Sequence, residues 1–147
     1  MPRRPRAQLP DGAYHVTVRG VAGSSIFQDD FDRVALRELL RRTEQRFEWR
    51  CDAYCLMTTH FHLVLACRRA SLSAGMHWLG GVYAQRFNRR HDRRGHLFEN
   101  RFSAWFVADE RHWENACNYV FENPVKAGLC ERPDEWPWSG GLRWTAR

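Results

Sequence analysis

His60 and His62 flank Phe61 in the run His-Phe-His-Leu-Val-Leu. In a strand, alternate side chains share a face, so both imidazoles point one way and Phe61 the other. Neighbouring imidazoles supply two ligands of a divalent-metal site, although two surface histidines on a half-buried strand carry the same spacing. Further along, a helical reading puts Trp113, Ala116, Cys117, Val120 and Phe121 on one apolar stripe. Tyr119 falls more than roughly 90° off that stripe. Asn123 follows one turn on, and His112 lies seven residues earlier on the same side. Without the histidines, Tyr119 reads as an amphipathic edge residue, its ring packed and its hydroxyl wet, and Asn123 as a helix-ending residue before Pro124. Arginines cluster at Arg3, Arg4 and Arg6 and again at Arg86, Arg89, Arg90, Arg93 and Arg94, with Arg19 and Arg101 beside the two histidine- and aromatic-rich segments. Guanidinium groups suit phosphate, yet any one of these reads alone as a solvated charge.

These groups need a scaffold. Tyr14-His-Val-Thr-Val18 alternates with period two, which predicts a strand. Arg19–Ser25 reads as a loop. Asp29 or Asp30 can cap a helix with Phe31, Val34, Ala35, Leu39, Leu40 and Phe47 on one stripe. Trp49–Met57 and His60–Cys67 read as strands on either side of a tight break at Thr58-Thr59. A second helix opens at Ser71 or Ser73 and carries Leu72, Met76, Leu79, Tyr83 and Phe87 at helical spacing. Arg89–Gly95 reads as a basic loop and Leu97–Val107 as a fourth strand. A third helix, capped by Asp109, ends before Pro124. The order β-α-β-β-α-β-α predicts an α+β fold of the ferredoxin-like or RRM-like kind. In it an antiparallel sheet has its helices packed on one face, and the other face stays open as a platform.

The chain has 147 residues, 44% hydrophobic and 27% charged, which fits one domain with a basic N-terminal arm (1–12) and a C-terminal tail (130–147) packed irregularly. No apolar run reaches the ~18 residues of a membrane span, and no apolar segment follows the N-terminal arginines as a signal peptide requires. The five cysteines (Cys51, Cys55, Cys67, Cys117 and Cys130) show no zinc-knuckle spacing and read as reduced thiols. A cytoplasmic protein without membrane attachment is expected. With 23 Lys+Arg against 17 Asp+Glu, the formal charge of +6 favours a polyanionic partner, nucleic acid first. Only Lys126 is a lysine, so a GC-rich coding sequence is a competing source of the arginine excess.

Five segments together resemble the single-tyrosine HUH transposases, and within them the REP-associated tyrosine transposases. They are Tyr14-His-Val-Thr-Val-Arg-Gly20, Tyr54-Cys-Leu-Met-Thr-Thr-His-Phe-His-Leu-Val-Leu65, Tyr83-Ala-Gln-Arg-Phe-Asn-Arg-Arg-His91, Gly95-His-Leu-Phe-Glu-Asn-Arg-Phe102 and Tyr119-Val-Phe-Glu-Asn-Pro-Val-Lys-Ala-Gly-Leu129. Order and spacing agree from about Tyr14 to Trp138. The resemblance implies that His60 and His62 are metal ligands, that Asn123 is a third, and that Tyr119 is the nucleophile. Thr59 stands where an Asn or Asp is common, which implies a role in the turn or behind the ligands. His15 is a candidate for proton transfer.

The implied activity is metal-dependent cutting and rejoining of single-stranded DNA at hairpin, palindromic (REP-like) sites. It uses Mg²⁺ or Mn²⁺ and a 5′-phosphotyrosine intermediate, and it serves DNA transposition or a host-retained derivative of it. The implied DNA contacts are Arg3, Arg4, Arg6, Arg19, Arg86, Arg89, Arg90, Arg93, Arg94 and Arg101. The resemblance also implies a nucleoid-associated bacterial protein acting as monomer or homodimer. Two other readings compete. One is a non-catalytic hairpin-DNA-binding protein on the same fold, which would have no use for both a metal pair and a nucleophile. The other is a metal hydrolase of small phosphodiesters, against which the single tyrosine and the basic arm count.

Overall fold

The computed structural model describes residues 11–144; the arm arginines Arg3, Arg4 and Arg6 lie outside them. The elements are β1 (Gly12–Arg19), α1 (Asp30–Phe47), β2 (Arg50–Leu56), β3 (His60–Cys67), α2 (Arg69–Arg90), β4 (Ser103–Val107), α3 (Glu110–Lys126) and β5 (Ser139–Gly140). One antiparallel sheet has the order β4-β1-β3-β2-β5. Its first four strands give the ferredoxin-like arrangement that the element order predicts, with β5 added at the β2 edge. Among the described residues no helix is long and apolar enough to cross a membrane.

The helices do not all share a face. α1 and α2 bury Leu36, Leu39, Leu40, Leu72, Met76, Leu79 and Tyr83 against Tyr14, Val16, Phe61, Leu63 and Leu65. α3 lies on the other side of the sheet and buries Ala116, Cys117, Val120 and Phe121 against Ala53, Cys55, Met57 and Val64. The expected open platform is therefore roofed. The physical reason is that Ala53, Cys55, Met57 and Val64 make an apolar patch on this face too, and it must be covered.

Other boundaries differ for local reasons. Phe31 and Val34 on α1 are exposed, and its buried positions include Asp32 and Thr43 instead. Asp29 caps the helix, accepting from Asp32 N at 3.2 Å. α2 starts at Arg69, not at Ser71 or Ser73, because Asp11 accepts from Arg69 N at 2.7 Å. Residues 97–102 are not strand apart from a single bridge, Gly20 to Phe98. α3 runs through Pro124 to Lys126. Beyond the proline, Leu129 N donates to Pro124 O at 2.9 Å and Gly128 N to Val125 O at 3.0 Å, with Gly128 at φ +76°. That is a Schellman closure, and it satisfies the last carbonyls in place of an early stop. The C-terminal segment is also more ordered than expected: it forms β5, and Trp136 Nε1 donates to Leu56 O at 3.0 Å.

A β-bulge in β2 fastens α3 to the sheet. The register shifts between Cys51 and Ala53, which turns buried Asp52 toward α3. Its Oδ2 accepts from Trp113 Nε1 at 2.8 Å, and its Oδ1 pairs with Arg50 Nε at 2.8 Å. Replacing Asp52 with alanine strands the indole N–H and should cost about 2 kcal/mol, as for a hydrogen bond to a buried charge. Urea unfolding measures it, and a loss below ~0.5 kcal/mol would mean that packing alone holds α3.

Candidate active site

Strand register builds the site in cross-strand rows on the face under α3. His15 sits between Trp105 of β4 and Val64 of β3; Thr17 sits between Ser103 and His62; Arg19 lies opposite His60. His62 is only 2% exposed. Its Nδ1 lies 3.1 Å from Thr17 Oγ1, and His60 Nδ1 lies 3.0 Å from Thr59 Oγ1. Each imidazole thus has a threonine hydroxyl on Nδ1. A proton on Nδ1, donated to threonine, leaves Nε2 as the lone-pair nitrogen. Thr17 was not singled out in the sequence, although the period of β1 puts it on the same face as His15.

The buried Nε2 atoms of His62 and His15 have no hydrogen-bond partner. Burial is the main cause that lowers all three histidines: His62 to about 3, His15 to about 4, and His60 below its usual value. Neighbouring His60, His15 and Arg19 lower His62 further, and His112 lowers His15. At neutral pH these rings are uncharged, the form that ligates metal or accepts a proton.

Their folded values lie below the unfolded value near 6.5, so the unfolded chain takes up protons first as pH falls. The stabilisation is fully present above pH ~6.5 and is lost on the way down toward 4 and 3. At pH 5, His62 and His15 together should cost about 3–4 kcal/mol of stability. Urea unfolding at pH 7 and 5 in EDTA checks this; equal stability at both would contradict it.

Tyr119 is 43% exposed, clear of the apolar stripe. Its ring stands edge-on to His15 (centroids 5.4 Å apart) and to His62 (5.8 Å apart). Lys126 Nζ lies 4.9 Å from the Tyr119 ring centroid, a cation–π contact supplied by the lone lysine. Asn123 Nδ2 donates to Tyr119 O at 2.8 Å, which leaves Oδ1 as the atom through which the amide would bind a cation. His112 works at the helix start, its Nδ1 accepting from Ala108 N at 3.0 Å.

Among the described residues no three His, Cys, Asp or Glu side chains form a metal-ligand group. What the site offers is two oriented imidazoles, one of them with an orphaned buried Nε2, and on α3 an amide one turn beyond the tyrosine that packs on His62. This donor set fits a divalent ion that keeps positions open for water and phosphate. Cys55 is the register partner of His62 on β2, and burial pushes its thiol, like that of Cys117, up to about 12.

The arginines divide. Arg19, Arg86, Arg89, Arg94 and Arg101 are exposed. Arg90 is half-exposed but committed to Asp29 and Asp32, bracing α1 against α2. Arg93 donates to Asn88 Oδ1 at 3.0 Å and to His96 O at 2.9 Å, bracing its own loop. These bonds use part of each guanidinium's five N–H donors.

The family model described as "Transposase IS200 like" matches residues 9–123. A curated Haemophilus influenzae protein named "Putative REP-associated tyrosine transposase" is 25% identical over 114 residues, 70% of this chain. The match spans 65% of that protein's length. A solved structure titled as a REP-associated tyrosine transposase bound to a REP hairpin has TM-score 0.75 at 16% identity, covering 100% of this chain and 93% of that one. A Deinococcus radiodurans crystal structure titled as a transposase, by its title a "putative" one, has TM-score 0.56 at 17% identity, covering 83% and 97%.

Proposed function

The chain belongs to the IS200-like transposase family, and from that premise we propose that it cuts and rejoins single-stranded DNA at hairpin sites through Tyr119. One observation carries the reading: an exposed tyrosine packed against two imidazoles whose buried Nε2 atoms lack partners. The REP-hairpin title of the similar structure and the name of the Haemophilus relative support hairpin DNA as the substrate.

His60, His62 and Asn123 would hold Mg²⁺ or Mn²⁺. When bound, the ion supplies Lewis-acid polarisation of a phosphate oxygen. Tyr119 Oη attacks phosphorus, the P–O3′ bond breaks, and the 3′ oxygen leaves to become a hydroxyl. The 5′ phosphate stays on Tyr119 as a diester, and attack by a 3′-OH reverses the step without external energy. The phenolic proton passes to His15 Nε2, the imidazole acceptor left beside Tyr119 once His62 is a ligand. Thr17 and Thr59 fix the two ligand rings. Exposed arginines hold the DNA backbone.

The reading is tested with a labelled hairpin carrying a single-stranded foot. Nicking and a covalent protein–DNA band should appear with Mg²⁺ or Mn²⁺ and vanish in EDTA. Nicking undiminished in EDTA would remove the metal, and binding without any adduct would leave a hairpin-binding module. Separately, His15→Gln should slow cleavage about 10²-fold, the low end of general-base effects. Hairpin affinity should hold; an unslowed variant takes His15 out of the proton path.

A further inference from the structure

Behind β3, on the face opposite Tyr119, lies a cavity of about 560 Å³. Phe61, Phe98 and Phe102 contribute aromatic walls, with His77, Glu99 and Asn100 as polar lining. We propose that it is a pocket for one unstacked nucleobase of the single-stranded DNA. The proposal rests on the reading of Tyr119 and the histidines as a single-strand DNA site.

Three observations carry it. The first is the pair Gly80-Gly81 in the middle of α2. Glycine inside a helix is destabilising relative to alanine. Gly75 of the same helix has a packing reason, since a Cβ there would lie 2.2 Å from Trp49. Gly80 and Gly81 have none: a Cβ on Gly80 would meet Phe98 at an ordinary 3.8 Å, and one on Gly81 meets nothing within 4 Å. Both line the cavity, so their missing side chains keep open a space that the chain itself does not fill.

The second observation is continuity with the catalytic strand. Phe61, whose side chain lines the cavity, lies between His60 and His62. The cavity wall is tied to β1 next to His60: Glu99 N donates to Arg19 O and Val21 N to Leu97 O, both at 2.9 Å, and Arg19 is the register partner of His60. A strand whose phosphate lies at His60 and His62 can therefore turn a nearby base around this end of the sheet.

The third is chemistry. Aromatic faces stack bases regardless of sequence, and an amide and a carboxylate at the edge can read a base's hydrogen-bonding groups. Arg86, Arg89, Arg94 and Arg101, exposed on the flanking segments, complement the phosphates on either side.

The test uses the full chain, equilibrium binding, and hairpins with and without a single-stranded foot. Gly81→Leu fills the cavity from an open Cβ position and improves helix propensity, so the melting temperature should hold or rise. It should weaken footed-hairpin binding about tenfold, the scale of one stacked base, and leave the footless hairpin unchanged. Wild type should also lose about tenfold when one particular foot nucleotide is made abasic, a loss absent in Gly81→Leu. Equal affinity of variant and wild type for the footed hairpin, or indifference of wild type to every abasic position, overturns the pocket while leaving the DNA reading intact. Failure of wild type to bind any hairpin overturns both.

Discussion

Replacing Tyr119 with phenylalanine is expected to abolish covalent attachment and nicking while leaving the fold and hairpin affinity almost unchanged. The hydroxyl sits on a 43% exposed side chain off the buried stripe of α3. Losing it should cost no more than about 1 kcal/mol. The ring stays, and with it the edge contacts to His15 and His62 and the cation–π contact to Lys126. A phenyl ring cannot attack phosphorus, so cleavage should fall at least ~10⁴-fold, the scale of losing a nucleophile. Nicking that persists without an adduct would mean that water attacks and the protein is a nuclease.

The second large effect is at His62. His62→Ala should eliminate metal-dependent cleavage and also destabilise the fold by about 3 kcal/mol, as for a large-to-small change at a buried site. The ring is 2% exposed beneath α3, and Thr17 Oγ1 loses its partner. His60, only partly buried at the start of β3, should lose cleavage equally but cost less than about 1 kcal/mol. Unfolding curves for both variants in EDTA separate the two costs. Equal stability losses would contradict the burial difference, and intact cleavage in either variant would contradict the ligand assignment.

The sequence announced some of this geometry and concealed the rest for identifiable reasons. Period two exposed β1, and helical spacing exposed the buried face of α2 and the stripe of α3. A helical stripe says that a helix is amphipathic, not which side of a sheet it covers. The clue that β2 and β3 are roofed on both sides lay in their composition. Ala53, Cys55 and Val64 are apolar on the face supposed to be open, and a half-exposed strand would alternate there. Pro124 was read as a terminator because proline disfavours helix in the residue before it, whereas the Gly128 closure that makes the extra turn worthwhile lies beyond it.

Within the candidate site, alternation placed His60 and His62 together, and helical spacing put Tyr119 and Asn123 on one face. That α3 lies over β3, with Tyr119 on His62, follows from the tertiary fold and not from either local pattern. Thr17 was hidden because its importance depends on the pairing of β1 with β3. The ion pairs of Arg90 gave no signal because its partners Asp29 and Asp32 lie about sixty residues away at the start of another helix. Asp52 gave no signal at all, since a bulge shows only against its neighbouring strand.

The most direct measurement is peptide mapping of the covalent complex. Wild-type protein is incubated with a footed hairpin and Mn²⁺, digested, and the DNA-bearing peptide identified by mass spectrometry. The account predicts a 5′-phosphate on Tyr119. A nucleotide on Tyr14, Tyr54 or Tyr83, the other three of the chain's four tyrosines, or nicked DNA with no modified peptide, would contradict it.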